Sequence, residues 1–233
     1  MHEKTSWALA IASLITLILY VIPFLYPIAY PFILISTLVH EMGHGIAAVL
    51  VGGHFESFQI WPDGSGLASI NGHFGSLAQA FIAAMGLIGP ACIASLCFIC
   101  LKTPQQSRFV LSSFAIILAL ALLLVIRNLF GIFFVAILCA LALFFSLGKG
   151  AKYAQIVLAF VGVQLTLSVF SRSDYLFTNN AQTSAGTMPS DVAQIANALF
   201  LPYWFWGALC GLFSLAILGF GIKHIFHAKT NLN

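Results

Sequence analysis

The sequence predicts an all-α polytopic membrane protein with six to seven transmembrane helices and a short membrane-associated β-hairpin after the helix that carries an HExxH motif. Three observations carry that prediction. Of 233 residues, 61% are hydrophobic and 6% are charged, against about 25% charged in ordinary globular chains, so a water-soluble core cannot absorb the apolar excess. The apolar residues fall in blocks near the ~20 residues that cross a hydrocarbon layer as helix. Between the blocks, apolar and polar residues alternate in one place, "GGHFESFQIWPDGSGLASINGHFG", residues 52–75, around the turn signal Pro62-Asp63-Gly64. No repeat or second domain is visible, so residues 1–233 read as one integral membrane domain whose surroundings are the lipid bilayer. The net charge of +3 is small and scattered through connectors, which says nothing for nucleic acid.

Taken in order, residues 6–22 form a first span; it is long for a signal peptide and lacks a small-residue cleavage site. Pro23, Pro27 and Pro31 punctuate the link to a second span at 31–51, because proline removes a rung of the helical ladder. Further spans lie at about 75–101, 108–126, 128–147, 152–171 and 202–222, read from run length and flanking charge. The stretch 171–201 turns polar and ends in a short helix from Asp191 to Phe200. With seven spans, an outside amino terminus puts Lys102, Arg108, Lys149, Lys152, Lys223 and Lys229 on the cytoplasmic side. The five cysteines sit inside apolar runs and read as small core hydrophobes.

The chemistry lies in His40-Glu41-Met42-Gly43-His44, inside the second span. Ionisable groups at that depth cost several kcal/mol unless they have a partner or a task. Residues four apart stand one above the other on a helix, so His40 and His44 can aim a nitrogen at one zinc ion. Glu41, about 100° around the helix, is free to act as a base toward water on that metal. Gly43, Gly45, Ala47 and Ala48 permit a second helix to approach closely.

At these residues the chain resembles the site-2 protease family of intramembrane zinc metalloproteases, in particular its compact B-type branch. The likeness runs through "HEMGHGIAAVLVGG", the Pro-Asp-Gly-Ser-Gly turn, "AMGLIGPA", "VIRNLFG" and "PSDVAQIAN". It implies a zinc metalloendopeptidase that cleaves a membrane-protein substrate, a single-span one in the simplest case, with Zn2+ on His40 and His44 and Glu41 as general base. Better-known members take a third ligand from an Asn-Pro-Asp-Gly type of motif, whereas the one Asp-Gly here is Asp63-Gly64 in the hairpin. Asp191, in a Ser-Asp step similar to the B-type pattern, is the first choice for that ligand, and Asp174 is the second. Asp191 and Gln194 also have the spacing of a helix cap and its reciprocal partner. Glu56, His54 and His73 qualify by residue type. Asn128 matches the family's Arg-Asn step, where an amide holds substrate backbone or an oxyanion; a helix cap or an interhelical hydrogen bond is the structural alternative. The competing function is a catalytically silent metal-binding membrane protein acting in transport or as a scaffold, against which Glu41 speaks, since ion binding alone needs no base beside the histidines.

Overall fold

The structure, a computed structural model, describes residues 26–171 and 175–227, with positions 11, 13, 14, 18 and 24 before them. The span expected over residues 6–22 falls almost wholly outside the described residues, as does Asp174. Helix α1 covers Tyr26–Leu50 and is followed by the antiparallel strands β1, His54–Ile60, and β2, Gly66–Asn71. Then come α2, Ser76–Ile99, α3, Pro104–Leu124, and α4, Leu129–Ser146. A 3-10 segment, Gly148–Tyr153, leads into α5, Ala154–Ser171. Strands β3, Asn180–Thr183, and β4, Gly186–Pro189, form a second hairpin that precedes α6, Asp191–Leu199, and α7, Tyr203–His227.

Among the described residues six segments are long and apolar enough to cross a membrane: 29–50, 76–99, 104–124, 129–146, 148–169 and 203–225. They match the expected spans from the second onward. The start of α1 differs, because the helix begins before Pro27 and Pro31 rather than after them. The first four N–H groups of a helix have no intrahelical partner, so Pro27 costs nothing there and Pro31 forgoes only its bond to the Pro27 carbonyl. Helices α3 and α4 lie side by side and expose Leu120, Leu123, Leu129, Phe133 and Ile137, an outward apolar face suited to lipid and not to water. The chain is an integral, multi-pass membrane protein. Its cysteines are unpaired and buried or half-buried, as their apolar settings imply.

Helix α2 is the hub, packed against α1, α5, α6 and α7. Ala91, Ala94, Phe98, Leu165 and Leu218 close its contact with α5 and α7, and Ala80, Ala83, Ile195 and Ala198 close that with α6. Across α1, the first hairpin folds back along the same helix. The Gly53 amide bonds the Ala48 carbonyl at 2.8 Å, and the Thr37 hydroxyl bonds the Gly64 carbonyl at 2.7 Å. Ala48 and Thr37 are about 16 Å apart along the helix axis at 1.5 Å per residue, so the hairpin lies at membrane depth beside a spanning helix. Backbone of that kind is tolerated in a bilayer only where protein or a wet cavity satisfies it.

Here protein does so on one edge. Phe58 donates its N–H to Val125 at 2.7 Å and accepts from the Arg127 amide at 3.1 Å, so the α3–α4 connector acts as a further strand beside β1. Asn128 extends that pairing by one rung with its side chain: Nδ2 donates to the Ile60 carbonyl at 2.6 Å and Oδ1 accepts from the Ile60 amide at 3.3 Å. Asn128 stands at the N-cap of α4 yet makes no capping bond with its side chain. Strand β2 has no strand partner on its other edge among the described residues.

Candidate metal centre

His40 and His44 lie on the face of α1 turned to α2, and Asp191 is the first residue of α6, which packs on the same helix. Their functional atoms converge. His40 Nε2 is 3.0 Å from Asp191 Oδ2, His44 Nε2 is 3.3 Å from Asp191 Oδ1, and the two Nε2 atoms are 3.2 Å apart. The three side chains retain 11%, 12% and 6% exposure respectively. Two groups fix the His44 ring. Its Nδ1 lies 2.9 Å from the Ile82 carbonyl, which can only accept, so in the neutral ring Nδ1 carries the proton and Nε2 keeps its lone pair for the cluster. The ring rests on Gly86, where a Cβ would stand 2.2 Å from Nε2. Ile82 and Gly86 are one turn apart on α2 and therefore share a face. Gly43 gives the matching close approach from α1, facing the Met85 carbonyl.

The donor set fits a zinc ion. Ligands at 2.0–2.1 Å around a tetrahedral ion lie about 3.3 Å from one another, close to the 3.0, 3.3 and 3.2 Å separations among the two Nε2 atoms and the two Asp191 oxygens. Asp191 Oδ2 is buried without a hydrogen-bond partner among the described residues, although His40 Nε2 is 3.0 Å away. Two imidazole nitrogens and a carboxylate facing one point, with one carboxylate oxygen left unpaired, are what a cation between them would satisfy. His40, His44 and Asp191 could thus hold a metal ion.

Asp191 is not a capping residue. The cap of α6 is Ser190, whose hydroxyl accepts from the Ala193 amide at 3.2 Å, while Gln194 donates to the Pro189 carbonyl. The other residues named on type do not join the cluster. Glu56 sits at a β-bulge and accepts from Asn71 Nδ2 at 2.8 Å, and His54 and His73 are exposed on the first hairpin and the link that follows it. Asn128 spends its amide on Ile60 as described.

Glu41 is not one of the three, and it reaches β2. Its Oε2 accepts from the Ala68 amide at 2.9 Å. That N–H points away from β1, because Ala68 pairs with Phe58, whose own backbone groups are bonded to the α3–α4 connector. By the period of two, Gly66 and Ile70 present backbone to the same outer edge. Gly66 has to lack a side chain there, since a Cβ would meet Glu41 Cγ at 2.8 Å and Thr37 Cγ2 at 2.6 Å. At the tip of the hairpin Asp63 accepts from the Ser65 hydroxyl at 2.6 Å and from the Ser184 hydroxyl at 2.6 Å. The turn of the second hairpin, which leads to Asp191, is thereby tied to the first. The hydroxyls of Ser184 and Ser65 hold the Asp63 carboxyl below its usual range.

Sequence comparison agrees with this arrangement. A family model described as Peptidase M50B-like matches residues 9–221. The chain belongs to the M50B-like peptidase family. This is the site-2 protease family, zinc-dependent in general, so membership implies a metalloprotease in the membrane and accounts for a histidine pair and an aspartate inside a spanning bundle. No curated protein and no solved structure matches the chain. The M50B-like match covers the hairpins as well as the helices. Gly86 and the Ser190 cap are not read from the sequence as such, although "AMGLIGPA" and "PSDVAQIAN" contain them.

Proposed function

We propose that this M50B-like protein is an intramembrane zinc metalloprotease that hydrolyses peptide bonds of membrane-protein substrates within or beside the bilayer. The observation that supports it best is the division of labour along one turn of α1. His40 and His44 meet Asp191, while Glu41, between them in sequence, is hydrogen-bonded to the open edge of a strand. Zinc held by His40, His44 and Asp191 supplies a Lewis acid that polarises a carbonyl and acidifies water.

The chain's own residues do the rest. Glu41 takes the proton of the attacking water and returns it to the leaving amine, the general-base role its carboxylate can fill without being a ligand. The Ala68 amide anchors one of its oxygens and leaves the other for water. A transmembrane helix must be unwound locally before a protease can reach its backbone, and an extended segment has unpaired N–H and C=O groups that hydrocarbon does not satisfy. On the outer edge of β2 the Ala68 carbonyl and the Ile70 backbone, beside the Ala68 amide that Glu41 holds, offer complementary groups, so the substrate adds as a strand. Base and substrate backbone then share one register, because Ala68 belongs to both. Asn128 acts at one remove as a positioning residue, holding β1 and through it β2.

The test is cleavage of a single-span substrate by the purified, lipid-reconstituted protein. A strong zinc chelator should stop cleavage, and added zinc should restore it at the same bond. Cleavage that persists after zinc has been removed to background would overturn the proposal.

A further inference from the structure

Behind the metal centre lies a partly open cavity of about 30 Å3 walled by Ser36 and His40 of α1, Ser168 of α5, Ser214 of α7 and Tyr175, with Leu87 and Pro90 of α2 among its apolar lining. Of the three clustered side chains only His40 reaches it; Glu41, His44 and Asp191 do not form its wall. It therefore sits outside the place where substrate and metal meet.

Its lining is unlike the rest of the bundle. Ser36 is 3% exposed, Ser214 2% and His40 8%. The hydroxyls of Ser36 and Ser214 make no hydrogen bond with any other described residue, and His40 uses only Nε2, leaving Nδ1 without a described partner. Helical serines can bond the carbonyl one turn back, as Ser113 does with Phe109, but these two do not. Donors that face a cavity without a protein partner leave hydrogen-bonding capacity for a water. A water needs roughly 10–15 Å3 of such volume and two to four polar neighbours, and this cavity offers both. A metal-bound histidine almost always gives its second ring N–H to a carboxylate, a carbonyl or water. His44 has the Ile82 carbonyl for that purpose, and His40 has the cavity.

We propose that the cavity is a structural water site: one water, held by the Ser36 and Ser214 hydroxyls, accepts the Nδ1–H of His40 and fixes that ring for metal binding. This rests on the zinc reading of the cluster. Ser36 and Ser214 are then positioning residues for the metal, contributed by helices that supply no catalytic group of their own in the case of α7.

The test is zinc affinity, measured by competition with a chromophoric chelator on the full-length protein in detergent. Ser36→Ala/Ser214→Ala should weaken zinc about 10- to 100-fold, the range found when second-layer partners of metal ligands are removed. Ser95→Ala removes a hydroxyl that is equally buried, at 5% exposure, but does not line the cavity, and should bind zinc as the wild type does. The cobalt-substituted protein adds a readout that lost packing would not move: its d–d absorption bands should shift in Ser214→Ala, even if the double variant folds poorly, and stay put in Ser95→Ala. Wild-type zinc affinity in the double variant with unshifted bands in Ser214→Ala, or equal losses in Ser214→Ala and Ser95→Ala, would overturn the water site while leaving the metal centre intact. Absence of zinc binding by the wild type would instead remove the reading beneath it.

Discussion

A single methyl group at position 86 should disconnect His44 from the metal. The Cβ of Gly86→Ala would lie 2.2 Å from both Cε1 and Nε2 of His44. Ordinary carbon contacts begin at about 3.5 Å, so ring and helix must separate by roughly 1.3 Å. The ring has little freedom to comply, because its Nδ1 is bonded to Ile82 on the same helix, and ligand distances in a metal site tolerate only about 0.2 Å. Overpacking of a close contact costs about 1–3 kcal/mol. If that cost falls on metal binding, zinc affinity drops roughly 5- to 150-fold, since every 1.4 kcal/mol is tenfold. Gly89→Ala is the control: one turn further on, its Cβ would be 3.5 Å from the nearest atom, in ordinary contact. The assay is zinc per protein by elemental analysis after equilibration with a weak chelator, on samples with unchanged circular dichroism and gel-filtration profile. Full zinc in Gly86→Ala, or an equal loss in Gly89→Ala, would refute the placement of His44 against α2.

Three further outcomes follow from other contacts. Asp191→Ala should lose zinc, whereas Ser190→Ala should lose about 0.5–2 kcal/mol of stability as a cap and retain its metal; thermal unfolding and zinc content measured together separate the two. Asn128→Ala strands the amide and carbonyl of Ile60, at about 1–3 kcal/mol for each buried group, and should raise hydrogen exchange across β1 and β2 while zinc stays bound. Lost cleavage with unaltered exchange would assign Asn128 to the substrate directly. Because hydroxyls depress the Asp63 carboxyl, its tie to the second hairpin contributes at pH values above the unfolded pKa and is lost as pH falls through the lowered folded value. Ser184→Ala should shift that titration upward, read from the carboxyl carbon resonance.

The parts of this fold legible in the sequence are those governed by local composition. Spanning helices announce themselves as apolar runs because each must satisfy its own backbone in lipid, and the first hairpin shows alternation about a Pro-Asp-Gly turn. The second hairpin was hidden: Asn180–Thr183 and Gly186–Pro189 are four residues each, with neither alternation nor β-branched enrichment to mark them. The pairing of His40 with His44 follows from helical periodicity alone. Bringing Asp191 to them is a tertiary event across about 150 residues, and sequence spacing fitted a cap equally well until Ser190 was seen to fill that role. Gly86 stands out only within a longer likeness, and Asn128 is marked in the sequence without its partner, since what each does depends on an atom of a distant segment, the His44 ring in one case and the Ile60 backbone in the other.

In the proposed reaction Glu41 is a base and not a ligand. Glu41→Gln keeps the side-chain volume and the bond from the Ala68 amide while removing the proton acceptor. Zinc content and single-span substrate cleavage, measured on the same reconstituted preparation, should show metal at the wild-type level and a rate reduced at least about 10²-fold. Cleavage at the wild-type rate with zinc in place would contradict the assignment of the base. A cellular phenotype that survives in Glu41→Gln but vanishes in His40→Ala would mean that metal binding, and not proteolysis, is what this protein does.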